Sequence, residues 1–267
     1  MNTKTFWLPQ LLAIVCILAV GAVSMVYADA HEIAEGMAME EEEAGVSGWF
    51  RTDTDSLGTQ IWFGGSYPMG SVSIDSDIYV VGTFAEFDLG IGIPVVDSES
   101  LSLTLLPMVG IGFDYEAANG PNSLIAPQLF TYLTAGSISL EWWIQGFFNT
   151  PFNDDGEVVN HEIGDDDSVT HMVEADPIVD SFYTRIFPLY SITDNIAIGP
   201  QLEATFELGD DGGISSLPIG LRLNLGYGEN NTLGLFVGYE TQPAEDDEGN
   251  EIEQTGFTGR MTFVRTW

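Results

Sequence analysis

Apolar and polar residues alternate with a period of two along most of the chain, the repeat of a strand with one face in apolar surroundings. Four stretches show it most clearly. Over 84–95, Ala85, Phe87, Leu89, Ile91 and Ile93 oppose Glu86, Asp88, Gly90 and Gly92. Over 101–115, Leu101, Leu103, Leu105, Val109, Ile111 and Phe113 oppose Ser102, Thr104, Gly110, Gly112 and Asp114. Over 137–149, Ile138, Leu140, Trp142 and Ile144 oppose Ser139, Glu141, Trp143 and Gln145. Over 196–208, Ile196, Ile198, Leu202, Ala204, Phe206 and Leu208 oppose Gly199, Gln201, Glu203, Thr205 and Glu207.

From Val46 onward the alternation predicts twelve strands: 46–54, 59–67, 72–82, 84–95, 101–115, 123–134, 137–149, 179–191, 196–208, 217–227, 232–242 and 255–267. The boundary between the third and fourth is weakly marked, and ten or fourteen strands also accommodate the pattern. Lengths near 10 to 13 residues suit tilted membrane-spanning strands. After even strands the connections are tight and rich in turn residues: Pro68–Ser71, Asp97–Ser100, Ala135–Gly136, Thr193–Asn195 and Gly228–Asn231. After odd strands they include the longer, acidic Glu116–Asn122, Thr150–Ile178, Gly209–Ser216 and Pro243–Gln254, although Asp55–Gly58 and Gly82–Thr83 are short. A secreted β-sandwich shares the alternation. Short turns on one side and long loops on the other favour an all-β, transmembrane, antiparallel up-and-down β-barrel over residues 46–267.

The last stretch, TGFTGRMTFVRTW, places Phe257, Gly259, Met261, Phe263, Arg265 and Trp267 on one parity. It resembles the closing strand of Gram-negative outer-membrane β-barrels. The resemblance implies an outer-membrane location, a small porin-like architecture, and recognition of Phe263 and Trp267 by the barrel-assembly machinery. Arg265 departs from the apolar residue usual at that place.

Composition sharpens the picture. The chain is 45% hydrophobic yet carries a formal charge of −35. A barrel reconciles the two, with an apolar belt outside and charge in loops and lumen. So few Lys and Arg exclude nucleic acid as a partner. Lys4 and the apolar run Leu11–Val26, followed by small-residue cleavage sites near Ala28 and Ala30, predict an export signal over 1–30. The single cysteine, Cys16, lies inside that segment. Residues 31–45 read as an acidic periplasmic tail.

Charge assigns the faces. An Arg facing lipid at mid-bilayer costs about 2–4 kcal/mol, so Arg185, Arg222 and Arg260 are expected to point inward. Arg265, near the strand end, can reach the headgroups. The inferred lumen lining is Glu86, Asp88, Asp114, Glu141, Glu203, Glu207 and Glu240 with those three arginines, together with Asp75 and Asp77. Two readings follow. The arginines pair with carboxylates and hold the interior together, or the excess carboxylates line a narrow cation-favouring pore. The inward parity also carries bulky Phe130, Tyr132, Trp143, Phe147, Tyr183, Phe187 and Phe236, which can close the bore.

The longest loop holds Asp154, Asp155, Glu157, Asp165, Asp166 and Asp167 beside His161 and His171. Such oxygen density suits weak Ca²⁺ binding, but its spacing is not that of an EF-hand. No predicted strand carries a histidine for a phospholipase-like wall site, and the chain lacks a phosphate loop, HExxH and a nucleophile elbow. The expectation is a non-enzymatic, cofactor-free, cation-favouring diffusion channel in contact with membrane lipid and lipopolysaccharide. The alternative is a closed structural or adhesive barrel whose acidic loops bind divalent cations, lipopolysaccharide or a partner.

Overall fold

The computed structural model describes residues 45–55, 58–98, 100–114, 122–150, 180–208, 212–241, 244–245, 251–252 and 256–267. The export signal, nearly all of the acidic tail and the long acidic loop with its six candidate metal ligands lie outside these residues.

The chain forms β1 (Ser47–Asp55), β2 (Gly58–Met69), β3 (Val72–Val81), β4 (Phe84–Asp97), β5 (Leu101–Asp114), β6 (Asn122–Ala135), β7 (Ile138–Asn149), β8 (Ser181–Thr193) and β9 (Ile196–Glu207). There follow a short β10 (Ile214–Ser216), then β11 (Pro218–Tyr227), β12 (Asn231–Glu240), a small hairpin of β13 (Ala244–Glu245) and β14 (Glu251–Ile252), and β15 (Gly256–Thr266). Neighbours in sequence pair antiparallel from β1 to β9, then β9 with β11, β11 with β12, β12 with β15, and β15 with β1. The ring is therefore a closed, twelve-stranded up-and-down barrel, which leaves no unpaired sheet edge for lipid to meet.

Every expected strand is present within two residues at each end. The weakly marked third boundary is a two-residue turn in which Gly82 takes φ 52°. Two expectations need correction. The connection expected over Gly209–Ser216 contains β10, whose Ile214 and Ser216 pair with Phe206 and Thr205 of β9. The connection expected over Pro243–Gln254 contains the β13–β14 pair. Both segments are too short for periodicity to signal them.

Turns at one end are uniformly short, with Gly70, Gly136 and Gly228 at positive φ. The other end carries the long connections after β5, β7, β9 and β12. The last strand closes the ring and Trp267 extends the seam: its N–H donates to the Gly48 carbonyl and its carbonyl accepts from the Gly48 N–H, each at 3.0 Å.

Alternation along each strand sorts the faces. Ile61, Phe63, Ile78, Phe87, Leu89, Val109, Ile111, Leu221, Val237 and Met261 are exposed on the outside. On the opposite parity Asp53, Gln60, Asp77, Glu86, Asp88, Gln128, Gln145, Arg185, Gln201, Glu203 and Arg222 are buried. This inverts the arrangement of a water-soluble fold, in which apolar side chains fill the core. An apolar exterior around a polar interior is the arrangement a bilayer stabilises.

Candidate functional site within the barrel

Two groups of charged side chains fill the interior. The first joins opposite walls. On β1, the alternation of RTDTD turns Arg51, Asp53 and Asp55 inward and leaves Thr52 and Thr54 outside. Arg51 donates to Asp53 through Nε at 3.2 Å and Nη2 at 2.8 Å. It also reaches Glu141 Oε1 at 3.7 Å. Glu141 lies on β7, the strand opposite β1 in the ring. Arg185 of β8 bridges the same two carboxylates, at 3.5 Å from Asp53 Oδ2 and 3.2 Å from Glu141 Oε1. Arg260 of β15 sits 2.8 Å from Asp55 Oδ2 and 3.0 Å from Glu203 Oε2 on β9. Tyr183 Oη donates to Glu203 Oε2 at 2.6 Å, and Gln201 Nε2 donates to Glu203 Oε1 at 2.5 Å.

Aromatic faces complete this bar. The guanidinium of Arg51 lies 5.0 Å from the Trp62 ring centre, and that of Arg185 lies 5.2 Å from Trp143 and 5.7 Å from Phe187. Trp62 and Trp143, on β2 and β7, themselves approach to 6.3 Å edge to face. A guanidinium over a π face within about 6 Å is favourable, the more so when desolvated. Charges this buried are tolerated because each is paired and hydrogen-bonded.

Arg222 is held differently. Its Nε donates to Asn224 Oδ1 at 2.8 Å, its Nη1 donates to Gln201 Oε1 at 3.1 Å, and its guanidinium lies 4.3 Å from the Phe187 ring centre. No carboxylate pairs with it among the described residues.

The second group is acidic alone. Asp77 of β3 and Glu86 and Asp88 of β4 are 8%, 2% and 2% exposed. Asp77 and Asp88 lie within hydrogen-bond reach of each other, as do Asp88 and Glu86. Amides hold them. Gln128 Nε2 donates to Glu86 Oε1 at 2.7 Å and to Asp88 Oδ1, and Gln145 Nε2 donates to Glu86 Oε1 at 2.8 Å. Trp143 Nε1 donates to Gln128 Oε1 at 3.1 Å and fixes its orientation. Among the described residues Glu86 Oε2 has no hydrogen-bond partner. Among the described residues no arginine pairs with any of the three.

The remaining expected site residues fall as follows. Glu207 sits exposed at the end of β9, and Glu240, at the end of β12, accepts from Ser216 Oγ and the Leu217 N–H, both at 2.7 Å. Asp114 closes β5, and its side chain lies outside the described residues. Asp75 accepts from Ser73 Oγ at 2.5 Å. Arg265, Phe263 and Trp267 are on the outer parity, with Phe263 6.3 Å from the Tyr227 ring and Trp267 5.9 Å from Phe63. The sequence does not single out Arg51, Asp53 and Asp55, because both parities of RTDTD are polar, nor Gln60 and Gln128; Gln145 and Gln201 it places on the polar parity of their strands.

No family model matches the chain, and neither does any curated protein. Among solved structures it is similar to the KdgM porin and the NanC porin, each at 10% identity and TM-score 0.46, covering 83% of this chain and 98% of that one. It is similar also to OccD3 (OpdP) of Pseudomonas aeruginosa, at 11% identity and TM-score 0.46, covering 85% of this chain and 66% of that one.

Proposed function

We propose that the chain is a narrow diffusion channel of the Gram-negative outer membrane that favours small cations. The observation that carries this reading is the charge of the inner wall. Inward carboxylates outnumber the four inward arginines, and among the described residues no arginine pairs with Asp77, Glu86 or Asp88. Fixed negative charge with low-dielectric walls concentrates cations and repels anions. The reading needs no catalytic residue and no resident cofactor. Export by the segment at 1–30, assembly through the Phe263 and Trp267 strand, and weak Ca²⁺ or lipopolysaccharide contacts at the acidic loops belong to the same proposal.

A second reading, a closed barrel that displays its loops, is favoured by one feature: Arg51 and Glu141 meet from opposite strands. Proteoliposomes separate the two. Under an imposed potassium gradient, vesicles carrying the mature protein are expected to pass potassium faster than empty vesicles and faster than they pass chloride. Vesicles with folded protein and no flux above background contradict the channel and leave the closed barrel.

A further inference from the structure

We propose that charge selection and bore closure are assigned to different walls of this barrel: the Asp77, Glu86 and Asp88 cluster on β3 and β4 selects the cation, and the Arg51–Glu141 bar only narrows the bore. This rests on the channel reading above. Three observations carry it.

The cluster and the bar use different chemistry. In the bar every carboxylate meets a guanidinium, so its field is largely cancelled locally. In the cluster the carboxyls meet one another and two neutral amides. Carboxyls in contact repel when ionised, and a shared proton or an arriving cation relieves that repulsion.

The cluster also contains an unmet acceptor. Glu86 is 2% exposed, and its Oε2 has no hydrogen-bond partner among the described residues. A buried acceptor left so is unfavourable, and an arriving cation would relieve it.

The wall beneath is shaped for these acids. A Cβ at Gly110 would fall on Asp88 Oδ1 and Glu86 Oε1. Glycine at this inward position lets the two carboxyls lie against β5.

Gln128 and Gln145, which donate to the Glu86 carboxyl, are the positioning residues of the cluster.

The test is reversal potential and conductance in planar bilayers under a potassium chloride gradient. Wild type is compared with Glu86→Gln, Asp77→Asn and Arg51→Gln, with barrel folding of each checked by heat-modifiable gel migration. Glu86→Gln keeps volume and Asp77→Asn is an independent removal of charge, so one misfolded variant leaves the other. The expected result is a potassium-to-chloride permeability ratio lowered roughly tenfold in the cluster variants, the low end of what focused charge supplies, with conductance near wild type. Arg51→Gln is expected to raise conductance and keep the ratio. A cation-selective wild type whose ratio survives both cluster substitutions overturns this assignment and leaves the channel standing. So does a ratio lost in Arg51→Gln. A wild type that folds and inserts but stays silent overturns both.

Discussion

The Arg51 guanidinium lies 3.7 Å from the Glu141 carboxylate although β1 and β7 stand opposite each other in the ring. Two side chains thus meet across the full width of the barrel. Arg185 braces the contact by reaching both Asp53 and Glu141. Shortening one side of this bar should widen the path. Arg51→Ala and Glu141→Ala are each expected to raise single-channel conductance above wild type. A conductance unchanged in both would mean that the bar is not the narrowest point.

The same bar carries stability. Asp53 is fully buried and pairs with Arg51 and Arg185. Removing one partner of a buried pair leaves an uncompensated charge, at about 3–5 kcal/mol. Asp53→Ala is therefore expected to lower the free energy of folding into lipid vesicles by about that amount, read from the denaturant midpoint. A shift within experimental error would show that water or a neighbour replaces the carboxylate.

Glycines at close approaches separate backbone limits from side-chain limits. A Cβ at Gly199 would fall on the Pro188 carbonyl oxygen, a backbone atom of the neighbouring strand β8. A Cβ at Gly234 would meet the tip of Arg222, which can move. Gly199→Ala is expected to abolish the folded, heat-modifiable band, while Gly234→Ala is expected to fold. Equal behaviour of the two would contradict the packing described.

How far these features could be read from sequence depends on what each rests on. The strands and their faces were legible because lipid demands an apolar outer side chain at every second position, as in Phe87, Leu89 and Ile91 against Glu86, Asp88 and Gly90. The β1 contribution was not. In RTDTD both parities are polar, so alternation gives no sign that Arg51, Asp53 and Asp55 turn inward. Partners across the lumen were not legible either. Arg51 meets Glu141 through the tilt and stagger of the closed ring, which no local pattern encodes. Alternation places Gln145 and Gln201 on the polar parity but gives no partner for either, and a neutral amide at Gln128 shifts neither charge nor periodicity, yet Gln128 and Gln145 hold the acidic cluster in place.

The outer face offers an independent check on the membrane assignment. Leu221 and Val237 are 61% and 62% exposed near the middle of β11 and β12 and pair directly with each other. An Arg at such a place costs about 2–4 kcal/mol at the bilayer midplane. Leu221→Arg is expected to weaken folding into vesicles by that amount. A neutral effect would indicate that this face meets water or protein.

The most direct test of the channel itself is the reversal potential of single wild-type channels in a planar bilayer separating unequal potassium chloride solutions. Discrete current steps that reverse near the potassium equilibrium potential are the expected result. Steps that reverse near the chloride potential, or a folded and inserted protein that passes no current, would contradict it.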